Sequence, residues 1–167
     1  SGNVSLYNGT NKKNIYPTPV IGGVGLIQNI SNRINQYFKK DGNIILQIGK
    51  NFGQLSQSFF LDEIYSITDG PPPEINLSNE KNNGLAVLKL INDKLVSSVH
   101  DISSGGLLIA LAEMTFKSGY GIKIDRPKNL SNLMEHYFSE DQGRYLIEVE
   151  PNNLSKISNI LNENNIF

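Results

Sequence analysis

Apolar positions along the chain fall into two spacings, and their alternation sets the first expectation. Asn43 to Ile48 carries three β-branched residues in a row of six behind the turn Asp41-Gly42, which predicts a largely buried strand. Val96 to His100 and Tyr145 to Val149 read as further strands, the last ended by Pro151. Gly22 to Ile27 and Ile122 to Ile124 read as shorter ones. Between them the period lengthens. Leu55, Phe59, Phe60 and Ile64 share one face of a helix over 55–64, and Leu85, Leu88, Ile91 and Leu95 repeat near the helical period from Leu77 onward. Leu107, Ala110, Leu111 and Met114 form the clearest stripe of all, in a helix over 107–116. Helices over 130–138 and 154–161 complete the set, the latter turning Leu154, Ile157 and Leu161 inward. Asp69-Gly70-Pro71-Pro72-Pro73 lacks three consecutive backbone donors and breaks any helix that reaches it. Strands alternating with helices predict an α/β (α+β) layer structure with helices covering a sheet.

Composition narrows the function classes. With 167 residues the chain is long enough to close one core. A formal net charge of -1 provides no basic field to draw it onto phosphate backbones or anionic lipid, so neither nucleic acid nor membrane is an expected partner. There is no cysteine, which removes disulfides, thiolate metal sites and thiol catalysis, and the two histidines are too few for a His-rich metal centre. No apolar run approaches the roughly 20 residues of a membrane span, and a cytoplasmic protein is expected.

Four segments carry polar groups of interest. A strand, glycine-bearing turn and helix span 96–116, a geometry that presents free amide donors and the positive end of a helix dipole. Two readings follow for it, an anion site or a plain core helix capped by Ser103 or Ser104. His100 and Asp101 are neighbours in a strand, so they are expected on opposite faces and not as a couple. Glu140-Asp141-Gln142-Gly143-Arg144 reads as a charged loop, solvated or locked by an acid pairing with Arg144. Ser1-Gly2-Asn3-Val4-Ser5 offers a hydroxyl, an amide and an open glycine, with no physical ground for choosing among metal, phosphate or nothing.

Taken in order, SGNVSLYN, IYPTPVIGGVGLI, LSQSFFLDEI, GPPPEINL, SSVHDISSGGLLIALAEM and FSEDQGRYLIEV resemble the end of the large subunit of the phosphoribosylformylglycinamidine synthase family, across nearly the whole chain. That resemblance implies a three-layer α/β/α domain around a mixed sheet, like the C-terminal domain of aminoimidazole ribonucleotide synthetase. Residues 1–15 would be the tail of a preceding N-type domain with its linker, and residues 16–167 the C-type domain. It also implies an ATP-dependent ligase of purine biosynthesis that converts formylglycinamide ribonucleotide, ATP and glutamine to the amidine, with this piece inactive by itself. Position by position, Gly2 matches a glycine beside ATP, Asn3 a magnesium ligand and Ser5 a contact to the ribonucleotide substrate. The implied partners are the remainder of the large subunit, a glutaminase subunit and a small bridging subunit. Two positions depart from the family pattern: Ser56 stands where glycine is usual, and Ser104 where aspartate is common, which removes a potential metal ligand. The alternatives are a noncatalytic scaffold or auxiliary-nucleotide domain, or another member of the superfamily such as selenophosphate synthetase.

Overall fold

A computed structural model of the chain describes residues 21–127, 132–164 and 166, with the backbone of two further dipeptides. Contacts divide it into two units, residues 1–30 and residues 31–167. In the first, β1 (Gly9–Thr10) and β2 (Lys13–Asn14) pair antiparallel. The expected strand at Gly22 to Ile27 does not form: the segment is irregular, Val24 and Leu26 are exposed, and a Cβ added at Gly22, Gly23 or Gly25 would meet nothing within 4 Å. An extended run with no neighbouring strand has no ladder to join.

In the second unit three strands make one sheet in the order β3 (Ile44–Ile48), β5 (Tyr145–Val149), β4 (Ser98–Asp101). Both pairings are antiparallel, with Leu46 opposite Ile147 and Ser98 opposite Glu148. The sheet among the described residues is therefore antiparallel throughout where a mixed one was expected. Ile122 to Ile124 joins no ladder; Ile122 packs on the core while Ile124 stays in solvent.

Helices cover both faces, as the layer reading required. Alternation along β5 sends Ile147 and Val149 to one face, where they meet Ile48 of β3, Ala86, Val87 and Leu90 of α2 (Leu77–Asn92), and Ile157 and Ile160 of α5 (Leu154–Glu163). Leu146 goes to the other, against Leu107, Ala110, Leu111 and Met114 of α3 (Gly106–Thr115), with Phe38 and Ile102. The α3 stripe is buried as the spacing predicted. The expected stripe holds only in its second half: Ile91 packs on the core and Leu95, just past α2, is buried, but Leu85 and Leu88 are exposed, and the buried face of the helix is Asn83, Ala86, Val87 and Leu90. Asn83 can lie inside because its Nδ2 donates to the carbonyl of Gly143 at 2.8 Å.

The two remaining helices are short. α1 (Phe59–Tyr65) begins at Ser58, whose hydroxyl accepts from Leu61 N at 3.3 Å, and it buries none of its own residues. The helix expected over 55–64, with Leu55, Phe59, Phe60 and Ile64 on one face, is thus shorter; Phe59 and Ile64 are exposed, while Phe60 is half-buried and stacks on Phe138 at 4.5 Å. α4 (Leu133–Phe138) is capped by Asn132 and packs on α3. Close approach there depends on Gly106, since a Cβ on it would lie 2.7 Å from the carbonyl carbon of Phe138 and from Ser139 O. Its φ of +70° is also one that glycine adopts without strain.

Candidate functional site

The 96–116 turn and the 140–144 loop come together around one carboxylate. Gly105, with a φ of +82°, is the residue that precedes α3, and neither Ser103 nor Ser104 caps the helix with its side chain. Glu140 does the capping instead. Its Oε1 accepts from Gly105 N and from Phe59 N, both at 2.8 Å, so one acid holds the amino ends of α3 and α1. The anion that this helix end suits is supplied by the chain itself. The plain reading of the turn therefore stands, with the cap assigned to Glu140 in place of a serine.

Asp141 and Arg144 do not form the turn lock expected of them, and their loop is not solvated. Asp141 is buried, and its carboxylate accepts from Phe52 N and Gly53 N at 3.0 Å and Gln54 N at 3.3 Å. The Arg144 guanidinium is buried too and donates to the carbonyls of Asp141 and Ser139 at 3.0 and 2.6 Å, while its Nη1 has no hydrogen-bond partner among the described residues. Burial lowers its pKa, an effect that the nearby charges of Asp141 and Glu140 oppose. His136 responds to the same group: burial first, then the Arg144 charge, hold its pKa below the usual imidazole value. Loop 140–144 is thus a polar hub that fastens residues 51–59, α3 and α4 onto β5.

A second buried acid went unnoticed in the sequence. Glu148 lies between Ile147 and Val149 in the central strand and is fully buried. Its carboxylate accepts from Lys39 N and Lys40 N at 3.0 to 3.1 Å, from Asn43 Nδ2 at 2.9 Å and from Ser98 Oγ at 2.8 Å. The readable signal was a lone acid inside an otherwise apolar strand.

His100 also has a different environment from the expected one. Its Nε2 lies 2.8 Å from Glu113 Oε2 of α3, and its Nδ1 lies 3.2 Å from Asp101 Oδ1. The neighbours do form a couple, because Asp101 ends β4 with its side chain mostly in water, where strand alternation no longer constrains it.

Gly2, Asn3 and Ser5 lie outside the described residues. Among the described residues no cluster of three acids or histidines is arranged to hold a metal ion, and no helix is long and apolar enough to cross a membrane. They do not by themselves fit a magnesium nucleotide: the α3 helix end is taken by Glu140, and Ser104, where the resemblance expects aspartate, is an exposed hydroxyl. Ser56 is accommodated by Gly70, where a Cβ would come within 2.9 Å of the serine side chain. A cavity of about 620 Å³ opens beside β3, with Phe38, Leu111, Lys123 and His136 in its wall, but neither the 103–106 turn nor the 140–144 loop lines it.

A family model described as "AIR synthase related protein, C-terminal domain" matches residues 40–167. A phosphoribosylformylglycinamidine synthase subunit PurL of Pelagibacter ubique is 49% identical over 166 residues, which is 99% of this chain and 23% of that protein. The corresponding subunit of Bartonella bacilliformis is 45% identical over 166 residues, 22% of its length. The chain spans under a quarter of these curated relatives. Among solved structures, Thermotoga maritima PurL complexed with FGAR matches 83% of this chain and 25% of that one with a TM-score of 0.66 and 21% identity. The same protein complexed with ATP matches with a TM-score of 0.60 and 19% identity. At such identities the likeness concerns the fold.

Proposed function

The chain belongs to the family of AIR synthase related proteins, as its C-terminal domain, and on that premise we propose that it is the last domain of the large subunit of a phosphoribosylformylglycinamidine synthase. The observation that carries the reading is 49% identity over 99% of the chain to a subunit with that name. The activity proposed for the whole subunit is the conversion of formylglycinamide ribonucleotide, ATP and glutamine to the amidine, in the cytoplasm. Relatives described in complex with ATP and with FGAR support the nucleotide and the substrate class, and a Thermotoga maritima PurLQS structure supports further subunits, for which a glutaminase and a small bridging protein are proposed.

Within that subunit residues 1–15 would close the preceding N-type domain and 16–167 form the C-type domain. Gly2 is proposed to lie beside ATP, Asn3 to give its amide oxygen to magnesium, and Ser5 to contact the ribonucleotide. Magnesium takes about six oxygens, so Asn3 would be one ligand of a set completed elsewhere in the subunit. The described part of the domain then serves as a scaffold, a role supported by the internal use of Glu140, Asp141 and Glu148 as hydrogen-bond hubs.

Grafting tests this. The 167-residue chain is put in place of the matching last domain of the Pelagibacter ubique subunit, and glutamine-dependent amidine formation is measured with the partner subunits present. Activity within about tenfold of the parent supports the reading; a folded graft with no amidine formation contradicts it. In an active graft, Asn3→Ala is expected to raise the magnesium concentration needed for half-maximal rate, and an unchanged magnesium dependence removes Asn3 from the site.

A further inference from the structure

Residues 62–79 form an arm that the domain's own core does not use: of these eighteen positions only Pro73 is less than exposed. The arm is not polar. Ile64 is 65% exposed, Tyr65 59%, Ile67 46%, Ile75 65% and Leu77 78%, and next to it on α1 Phe59 is more than half exposed. Single exposed apolar side chains are ordinary; six along one short stretch are the mark of a surface that is covered in the working protein. The arm is anchored at its root by Phe60, half-buried and stacked on Phe138 at 4.5 Å, and along its length by polar contacts. Glu140 takes Phe59 N, Gln54 Nε2 donates to Pro71 O at 3.4 Å, Gln57 Nε2 donates to Gly70 O, and Ile67 N returns to Leu61 O. Those contacts fix its course and leave Phe59, Ile64, Tyr65, Ile67, Ile75 and Leu77 exposed.

Charge specifies the covering surface. From Asn51 to Glu80 the chain carries Asp62, Glu63, Asp69, Glu74 and Glu80 and no lysine, arginine or histidine, although the whole chain is nearly neutral. The complementary partner is an apolar surface ringed by Lys or Arg. The relatives supply the candidate, since each is more than four times as long as the stretch this chain matches.

We infer that the α1 arm, residues 59–77, is the surface by which this domain docks onto the rest of its own large subunit, through a basic-ringed apolar face there. The inference rests on the function proposed above. Helices of the domain itself cover both faces of the sheet, so the isolated chain can be compared with the graft.

Amide hydrogen exchange is measured for residues 59–77 in the 167-residue chain and in the Pelagibacter ubique subunit carrying it. Exchange about tenfold or more slower in the longer protein is the expected result; equal exchange overturns the inference. Ile64→Asp provides the second arm of the test. It is expected to remove that protection in the graft while leaving the urea midpoint of the isolated chain unchanged; a lowered midpoint would place Ile64 in the domain's own core and overturn the inference. Dimerisation of the isolated chain that Ile64→Asp abolishes assigns the arm to a second copy, which also overturns it. Protection without amidine formation in the graft leaves the docking surface standing and removes the enzymatic reading alone.

Discussion

Glu148→Gln asks how much of the domain's stability one buried charge organises. The substitution keeps the shape of the side chain and removes its charge. In the folded domain the carboxylate faces four donors, Lys39 N, Lys40 N, Asn43 Nδ2 and Ser98 Oγ, all within 3.1 Å. Glutamine keeps one oxygen, but its NH2 must face donors where an oxygen accepted before, and buried donors are left unpaired. Bonds to a charged acceptor contribute about 1.5–3 kcal/mol each against about 1 for neutral ones, and an unpaired buried donor costs about 1–3, so a loss of about 2–4 kcal/mol is expected. In urea, with a slope of about 1–3 kcal/mol per M for a domain of this size, the midpoint falls by about 0.7–4 M. Two comparisons calibrate the result. Ser98→Ala removes one donor and leaves the others, for about 1 kcal/mol. Glu150→Gln breaks only the exposed pair with Lys40 at 3.4 Å, and should change stability by less than about 0.5 kcal/mol. Urea denaturation of the three variants, followed by circular dichroism, decides the matter: a Glu148→Gln midpoint no lower than that of Glu150→Gln would refute the hub.

Other consequences follow from the same geometry. Gly106→Ala combines a positive φ with a Cβ 2.7 Å from backbone on two sides, so a loss of about 2 kcal/mol or more and a lowered thermal midpoint are expected; an unchanged midpoint would mean that α3 and α4 do not pack as described. His136, with its folded pKa held below the unfolded value, binds a proton more readily in the unfolded chain. Its contribution is therefore intact above about pH 6.5 and is lost as pH falls toward the folded pKa. Urea midpoints measured from pH 7.5 down to 5 should fall, less steeply in His136→Gln, and equal slopes in the two proteins would refute the assignment.

The elements were legible wherever one residue type dominated a face. The Leu107, Ala110, Leu111, Met114 stripe and the Tyr145 to Val149 strand could be read directly because burial selects apolar residues at the helical or the alternating period. On α2 the same rule misled. Leu85 and Leu88 are the more conspicuous residues, yet the sheet takes Ala86, Val87 and Leu90, and the polar Asn83 enters the core because a carbonyl waits for it there. The polar hubs were less legible still. Nothing local marks Glu140 as the cap of a helix that begins 34 positions earlier, or Asp141 as the acceptor for a turn at 52–54. Such bonds join residues 35 to 89 positions apart, and local spacing carries no information about them. The turn before α3 could be seen to want an anion; that the chain provides its own could not.

Calorimetry with ATP and magnesium bears most directly on the proposal that this chain would be one wall of a nucleotide site whose other walls belong to the rest of the subunit. The isolated 167-residue chain should show no binding in the micromolar range, because Asn3 alone cannot satisfy an ion that takes about six oxygens and the α3 helix end is already filled by Glu140; the grafted subunit should bind. A tight, stoichiometric signal from the isolated chain would contradict the account.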